Sequence, residues 1–236
     1  MDIKKISLFA LIAFIASWTA FASSGEGMKE PSAEEVIGKY LEAIGGEDKL
    51  REIKTAKLEM VAEFQGMVIN MFFTHDDENN RMNQRVMVMG NEASNVTVKD
   101  GKAKITAMGQ DQTLTDEQYE EARMNMYIFP ELHFQEMGYE MTNEGTSTVN
   151  GQEAYMISIK NSMGASLTNY YSVESGLKLK STSSSAGETT YADYEDFEGI
   201  KYPTNLSVNS PMLPEEMKTS VESVDFNAEV FEEDFD

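Results

Sequence analysis

The chain reads as a mainly β protein (α+β): a curled antiparallel half-barrel of about ten or eleven strands, with an N-terminal helix and one further helix in its concave face. Three observations lead there. A single apolar stripe at helical spacing comes first, between Ser32 and Gly46. From Ala56 onward the apolar period changes to two and holds for most of the chain, punctuated by turn pairs such as Asp100-Gly101 and Asn150-Gly151. The chain has no cysteine, so a packed core and not disulfides must hold the fold.

The elements follow in order. Lys4 and Lys5, the apolar run from Ile6 to Ala22, and the small-x-small pattern Ala20-Phe21-Ala22 make residues 1–22 a cleavable secretory signal, with cleavage expected near Ala22. That run is at the low edge of what spans a bilayer, and no cysteine follows it for lipid attachment, so no stable membrane anchor is expected. Residues 23–31 are small and polar and form a flexible lead-in. Ser32 and Glu35 make a capping box. Val36, Ile37, Tyr40, Leu41 and Ile44 then form one helical face, ended by Gly45-Gly46. A short second helix is expected over Glu47–Ile53.

Strands are expected over Lys57–Phe64 and Met67–Thr74, joined at Gln65-Gly66, with Leu58, Met60, Ala62, Phe64 and Met67, Ile69, Met71, Phe73 as their apolar sides. Asp76–Asn80 reads as a solvated turn, with calcium binding left open because the spaced calcium-loop pattern is missing. Arg81–Met89, Asn95–Lys99 and Ala103–Met108 continue the sheet. Thr115 and Gln118 cap a helix over Asp116–Met126, and Pro130 stops it. The β pattern resumes near Tyr139 and runs to Phe226. No linker or internal repeat interrupts it, so residues 32–230 are expected to be one domain, followed by a solvated acidic tail, 231–236.

The chemistry is sparse. With 41 acidic and 19 basic residues, the net charge is −22, and it becomes more negative once the signal leaves; such a surface repels phosphate backbones, so no nucleic-acid partner is expected. The absence of cysteine removes thiol nucleophiles and iron–sulfur clusters. No nucleophile elbow, phosphate loop or paired-histidine zinc helix is present, and His75 and His133 are far apart in sequence. No enzyme activity, metal or cofactor is therefore expected. Methionine is abundant, with 17 residues, many of them on strands. It suits surfaces that accept variable apolar partners. The expected ligand site is a greasy pocket lined by Met60, Phe64, Ile69, Met71 and Phe73, with Tyr40 and Leu41 from the helix.

Three segments also carry a family resemblance. Residues 32–55, the stretch Tyr170-Tyr-Ser-Val-Glu-Ser-Gly-Leu-Lys-Leu179, and Tyr194-Glu-Asp-Phe-Glu-Gly-Ile-Lys-Tyr-Pro203 resemble the LolA/LolB-like periplasmic proteins of Bacteroidetes-type bacteria, described as similar to outer-membrane lipoprotein-sorting proteins. The resemblance implies a half-open barrel plugged by helices, and binding of acyl chains or other apolar small molecules in a periplasm. An envelope protein, such as a peptidase, is the alternative partner, met by an acidic surface with the cavity filled by its own side chains.

Overall fold

The computed structural model describes residues 30–235 except 108, 124, 125, 185 and 212, and leaves out the side chains of residues 117 and 121. The expected signal peptide and nearly all of the lead-in lie outside the described residues.

Among the described residues, thirteen antiparallel strands form one open sheet. They are β1 (Thr55–Phe64), β2 (Met67–Asp76), β3 (Arg81–Val88), β4 (Asn91–Lys99), β5 (Lys102–Ala107), β6 (Gln110–Thr113), β7 (Glu140–Val149), β8 (Gln152–Lys160), β9 (Ser166–Ser172), β10 (Lys178–Ser183), β11 (Gly187–Phe197), β12 (Ile200–Asn209) and β13 (Met217–Phe226). The spatial order is β6-β5-β4-β3-β2-β1-β13-β12-β11-β10-β9-β8-β7. Each strand pairs with its sequence neighbour except at two places. β1 pairs with β13 in the middle of the sheet, and the segment between β6 and β7 runs from one edge to the other.

The expected count of ten or eleven strands falls short. β6 accounts for one of the missed strands: it is wholly polar and wholly exposed at a sheet edge, so it has no apolar alternation from which to read a strand.

Among the described residues, helices α1 (Ala33–Ile44), α2 (Glu47–Arg51) and α3 (Asp116–Arg123) accompany the sheet, with two short 3-10 turns, Pro130–Leu132 and Glu232–Phe235. The Ser32 capping box forms: Glu35 N–H donates to Ser32 Oγ, and Ser32 N–H donates to Glu35 Oε2 at 2.6 Å. The predicted stripe on α1 is buried throughout. It packs against β7, β9 and β12, while α3 lies on β4 and β5.

Alternation decides which side of the sheet each residue faces. Ala56, Leu58, Met60 and Ala62 of β1 are buried, and their cross-strand partners include Phe73, Met71 and Ile69 on β2 and Val224 and Val221 on β13. This is the helix face. Its core joins α1 and α2 to Ile128, Phe129, Leu132 and Phe134 of the edge-to-edge segment. Burying each such side chain stabilises the fold by about 1.5–3 kcal/mol.

The opposite, outer face holds a correction. The tail was expected in solvent, yet Phe235 is only 1% exposed. The Arg81 guanidinium lies 4.3 Å above its ring, Arg81 Nη1 donates to Glu232 at 2.6 Å, and Lys57 pairs with Asp234 at 3.0 Å. Lys99 also pairs with Glu232. The charges that made the tail look solvated are the ones that dock it.

One glycine is required by the approach of two strands. Gly187, at the start of β11, has φ +87°, and a Cβ there would fall 2.3 Å from the Asn209 carbonyl oxygen on β12. Gly187→Ala is expected to destabilise by about 2 kcal/mol, from left-handed backbone strain plus the clash. A lower urea midpoint with unchanged slope would show it.

Candidate functional site

The edge-to-edge segment, residues 126–139, lies over the helix face and is held by the β2–β3 turn. His75 Nδ1 is 2.8 Å from the Met126 carbonyl oxygen. Ile128 N–H donates to Asp77 Oδ1, and Tyr127 OH donates to Asn80 Oδ1 at 2.7 Å. The Tyr127 ring stacks on His133 at 3.9 Å, and His133 Nδ1 is 3.3 Å from Glu136. The turn read as solvated is therefore a latch, with Asp76 itself only 2% exposed. Burial would raise the Asp76 carboxyl, but hydrogen bonds from Asn79 and Arg81 outweigh it and hold the group below its ordinary value. Both histidines thus serve this segment. Among the described residues no three His, Asp or Glu side chains converge as a metal site.

Asp77 is different. Burial pushes its carboxyl up to about 7, with the charge of Asp76 adding to the effect and the Ile128 hydrogen bond opposing it. A folded pKa above the unfolded value means the native state holds the proton longer. The group therefore weakens the fold as pH rises from about 4, and the full effect is present above 7. Asp77→Asn keeps the acceptor for Ile128 and removes the charge. It is expected to gain about 2 kcal/mol at pH 8, after a discount for solvent screening, and nothing at pH 4. Urea unfolding at both pH values checks this.

Beside Pro130 and Phe134 of this segment, a cavity of about 190 Å³ opens on the helix face over β9, β10 and β11. Its wall is part apolar (Pro130, Phe134, Leu167) and part polar (Lys178, Ser181, Tyr191). Lys178 Nζ donates to Glu131 Oε1 at 2.7 Å, with the two side chains 13% and 1% exposed. The ammonium sits 5.4 Å from the Tyr40 ring centre and 5.0 Å from that of Tyr191. Burial would lower the Lys178 pKa; the Glu131 carboxylate, with neighbouring tyrosines, outweighs it and raises the group well above its ordinary value.

A continuous chain of donors leads to the pair. Tyr191 OH donates to Ser181 Oγ, Ser181 Oγ to Asn169 Oδ1, and Asn169 Nδ2 to Tyr171 OH. Tyr171 OH donates to Glu131 Oε1 at 3.3 Å. Burial pushes the Tyr40 and Tyr171 hydroxyls well up, so both stay protonated.

The residues expected to line a pocket have mixed positions. Tyr40, Leu41, Met60 and Met71 are buried in the core. Ile69 and Phe73 are half-buried and pack against it, on the same face. Phe64 is half-buried near the tip of the β1–β2 hairpin, outside that cluster. Leu41 also borders a second cavity of about 210 Å³ between α1 and Leu132. The Lys178–Glu131 centre was not read from the sequence. Simple alternation puts Lys178 and Lys180 on one side of β10, but a register shift between them turns Lys178 inward opposite Tyr171 and pairs Lys180 with Tyr170.

No protein-family model and no curated protein matches the chain. Solved structures share its fold. A DUF1329 family protein from Desulfovibrio piger aligns with a TM-score of 0.58 at 10% identity, over 86% of this chain and 97% of that one. A LolA superfamily protein from Nitrosomonas europaea gives 0.57 at 11% identity, over 87% and 98%. A domain named for outer-membrane lipoprotein sorting, from Vibrio parahaemolyticus, gives 0.54 at 10%, over 84% and 97%. The chain thus has a LolA-like fold: mainly β, one open antiparallel sheet and few helices. No helix among the described residues is long and apolar enough to cross a membrane.

Proposed function

We propose that this protein is a soluble periplasmic binding or carrier protein for a lipid, an acyl chain or another apolar ligand, and that it performs no catalysis. The observation that carries the reading is the incomplete cover of the helix face. Beyond α1, α3 and the 126–139 segment, the inward apolar side chains Ile69, Phe73, Val86, Met217 and Val221 are only half-buried, and a cavity opens beside Phe134 and Leu167. A sheet of this size curls, as a half-barrel would, and draws that face into a concave surface. Phe64, Ile69 and Phe73 then line the ligand path, over a floor of Tyr40, Leu41, Met60 and Met71.

Apolar burial drives binding at about 25 cal/mol per Å² removed from water, so one chain laid along such a face gives useful affinity. The LolA-like fold, shared with a domain named for lipoprotein sorting, supports the reading.

A second reading has its own observation. Four of the seven expected lining residues are already in the core, which favours a self-filled sheet that meets an envelope protein through its acidic surface. Purification from the native envelope followed by lipid mass spectrometry separates the two. A stoichiometric co-purifying lipid supports the carrier; a protein partner with no lipid supports the second reading.

A further inference from the structure

The cavity over β9–β11 carries a further step, which rests on the carrier reading. Buried charges normally have their hydrogen bonds made. Lys178 has three N–H donors, and among the described residues Nζ makes one hydrogen bond, to Glu131 Oε1. Its other close neighbours are the faces of Tyr40 and Tyr191. Glu131 Oε1 accepts from both Lys178 and Tyr171, while Oε2 accepts from no described residue. Both side chains border the cavity. A nearly buried ion pair thus keeps donor and acceptor capacity at the wall of a cavity. Ser181 on β10 and Thr189 on β11 also line it, together with the apolar Phe134 and Leu167.

Charge selects what fits. A carboxylate head satisfies Lys178 but is repelled by Glu131, and an amine is repelled by Lys178. A hydroxyl both donates and accepts, so it serves both residues without adding charge to a neutral pair. We infer that this cavity is a headgroup site for an uncharged, hydroxyl-bearing amphiphile, whose hydroxyls bridge Lys178 and Glu131 and whose apolar part starts on Phe134 and Leu167. The cavity, of about 190 Å³, is small beside a whole oleoyl chain. It admits a short polyol head and no chain, so the chain leaves along the sheet toward Met217 and Val221.

Calorimetric titration of the purified, lipid-stripped chain with 1-monooleoylglycerol and with oleate tests this, because the two share one acyl chain and differ in the head. The parent is expected to bind the glyceride about tenfold tighter than oleate at pH 8. Ala165→Trp, which puts an indole into the cavity that Ala165 lines, is expected to remove that tenfold preference and leave oleate affinity within about twofold. Thr189→Val, a smaller change kept in case the tryptophan disturbs folding, is expected to weaken only the glyceride, by about fivefold. Equal affinities that neither variant separates mean that the cavity holds water only; that overturns the headgroup site and leaves the carrier reading standing. If neither lipid binds, both fail.

Discussion

Lys178→Met is expected to lower stability by about 3–5 kcal/mol, because it leaves Glu131 buried and uncompensated. The carboxylate is 1% exposed and has Lys178 and Tyr171 as its only hydrogen-bonding side chains among the described residues. At this chain length the loss corresponds to a melting point lower by roughly 10 °C. The pair itself is a poor source of net stability, since desolvating two charges offsets most of their attraction. The double change Lys178→Met with Glu131→Gln is therefore expected to recover most of the loss. Chemical denaturation of the parent, both single variants and the double variant measures the coupling directly. A single variant within 1 kcal/mol of the parent would show that Glu131 reaches water.

Phe235→Ala is expected to cost about 3–4 kcal/mol, in the range for removing a fully buried aromatic ring. Phe235 fills the outer face beneath Arg81, and Arg81 also bonds Asp76 at 2.8 Å and Glu232 at 2.6 Å. The loss therefore exposes part of a charge network as well as leaving a hole. Glu232→Gln, in contrast, should leave the urea midpoint almost unchanged, since that carboxylate is well exposed and screened. Urea midpoints for the two variants decide the matter. A Phe235→Ala loss as small as that of Glu232→Gln would mean that the tail lies in solvent after all.

These two sites also show where sequence reading succeeds and stops. Ser32 and Glu35 are three residues apart, so the start of α1 was legible as a local capping box, and the helix begins at Ala33. Leu58, Met60 and Ala62 alternate without interruption, and all three are buried as the period of two requires. Gln110-Asp-Gln-Thr113 carries no apolar side chain, so β6 left no trace. Phe235 sits among Glu232, Glu233 and Asp234, and the docking cations Lys57, Arg81 and Lys99 come from three other strands. Lys178 was hidden twice. The irregularity in β10 reverses its facing, and its partner Glu131 lies in a segment that crosses the sheet from one edge to the other. The apolar side of each early strand was readable because periodicity is local. The polar centre depends on register and on a long connection, neither of which a window of residues contains.

The central claim is that the helix face takes an apolar ligand, and equilibrium titration of a fluorescent fatty acid into lipid-stripped protein tests it most directly. Saturable binding of one chain per protein is expected, with a Kd of about 1 μM or tighter, equivalent to about 8 kcal/mol. The absence of any saturable signal, in protein whose fold is intact by circular dichroism, would contradict it.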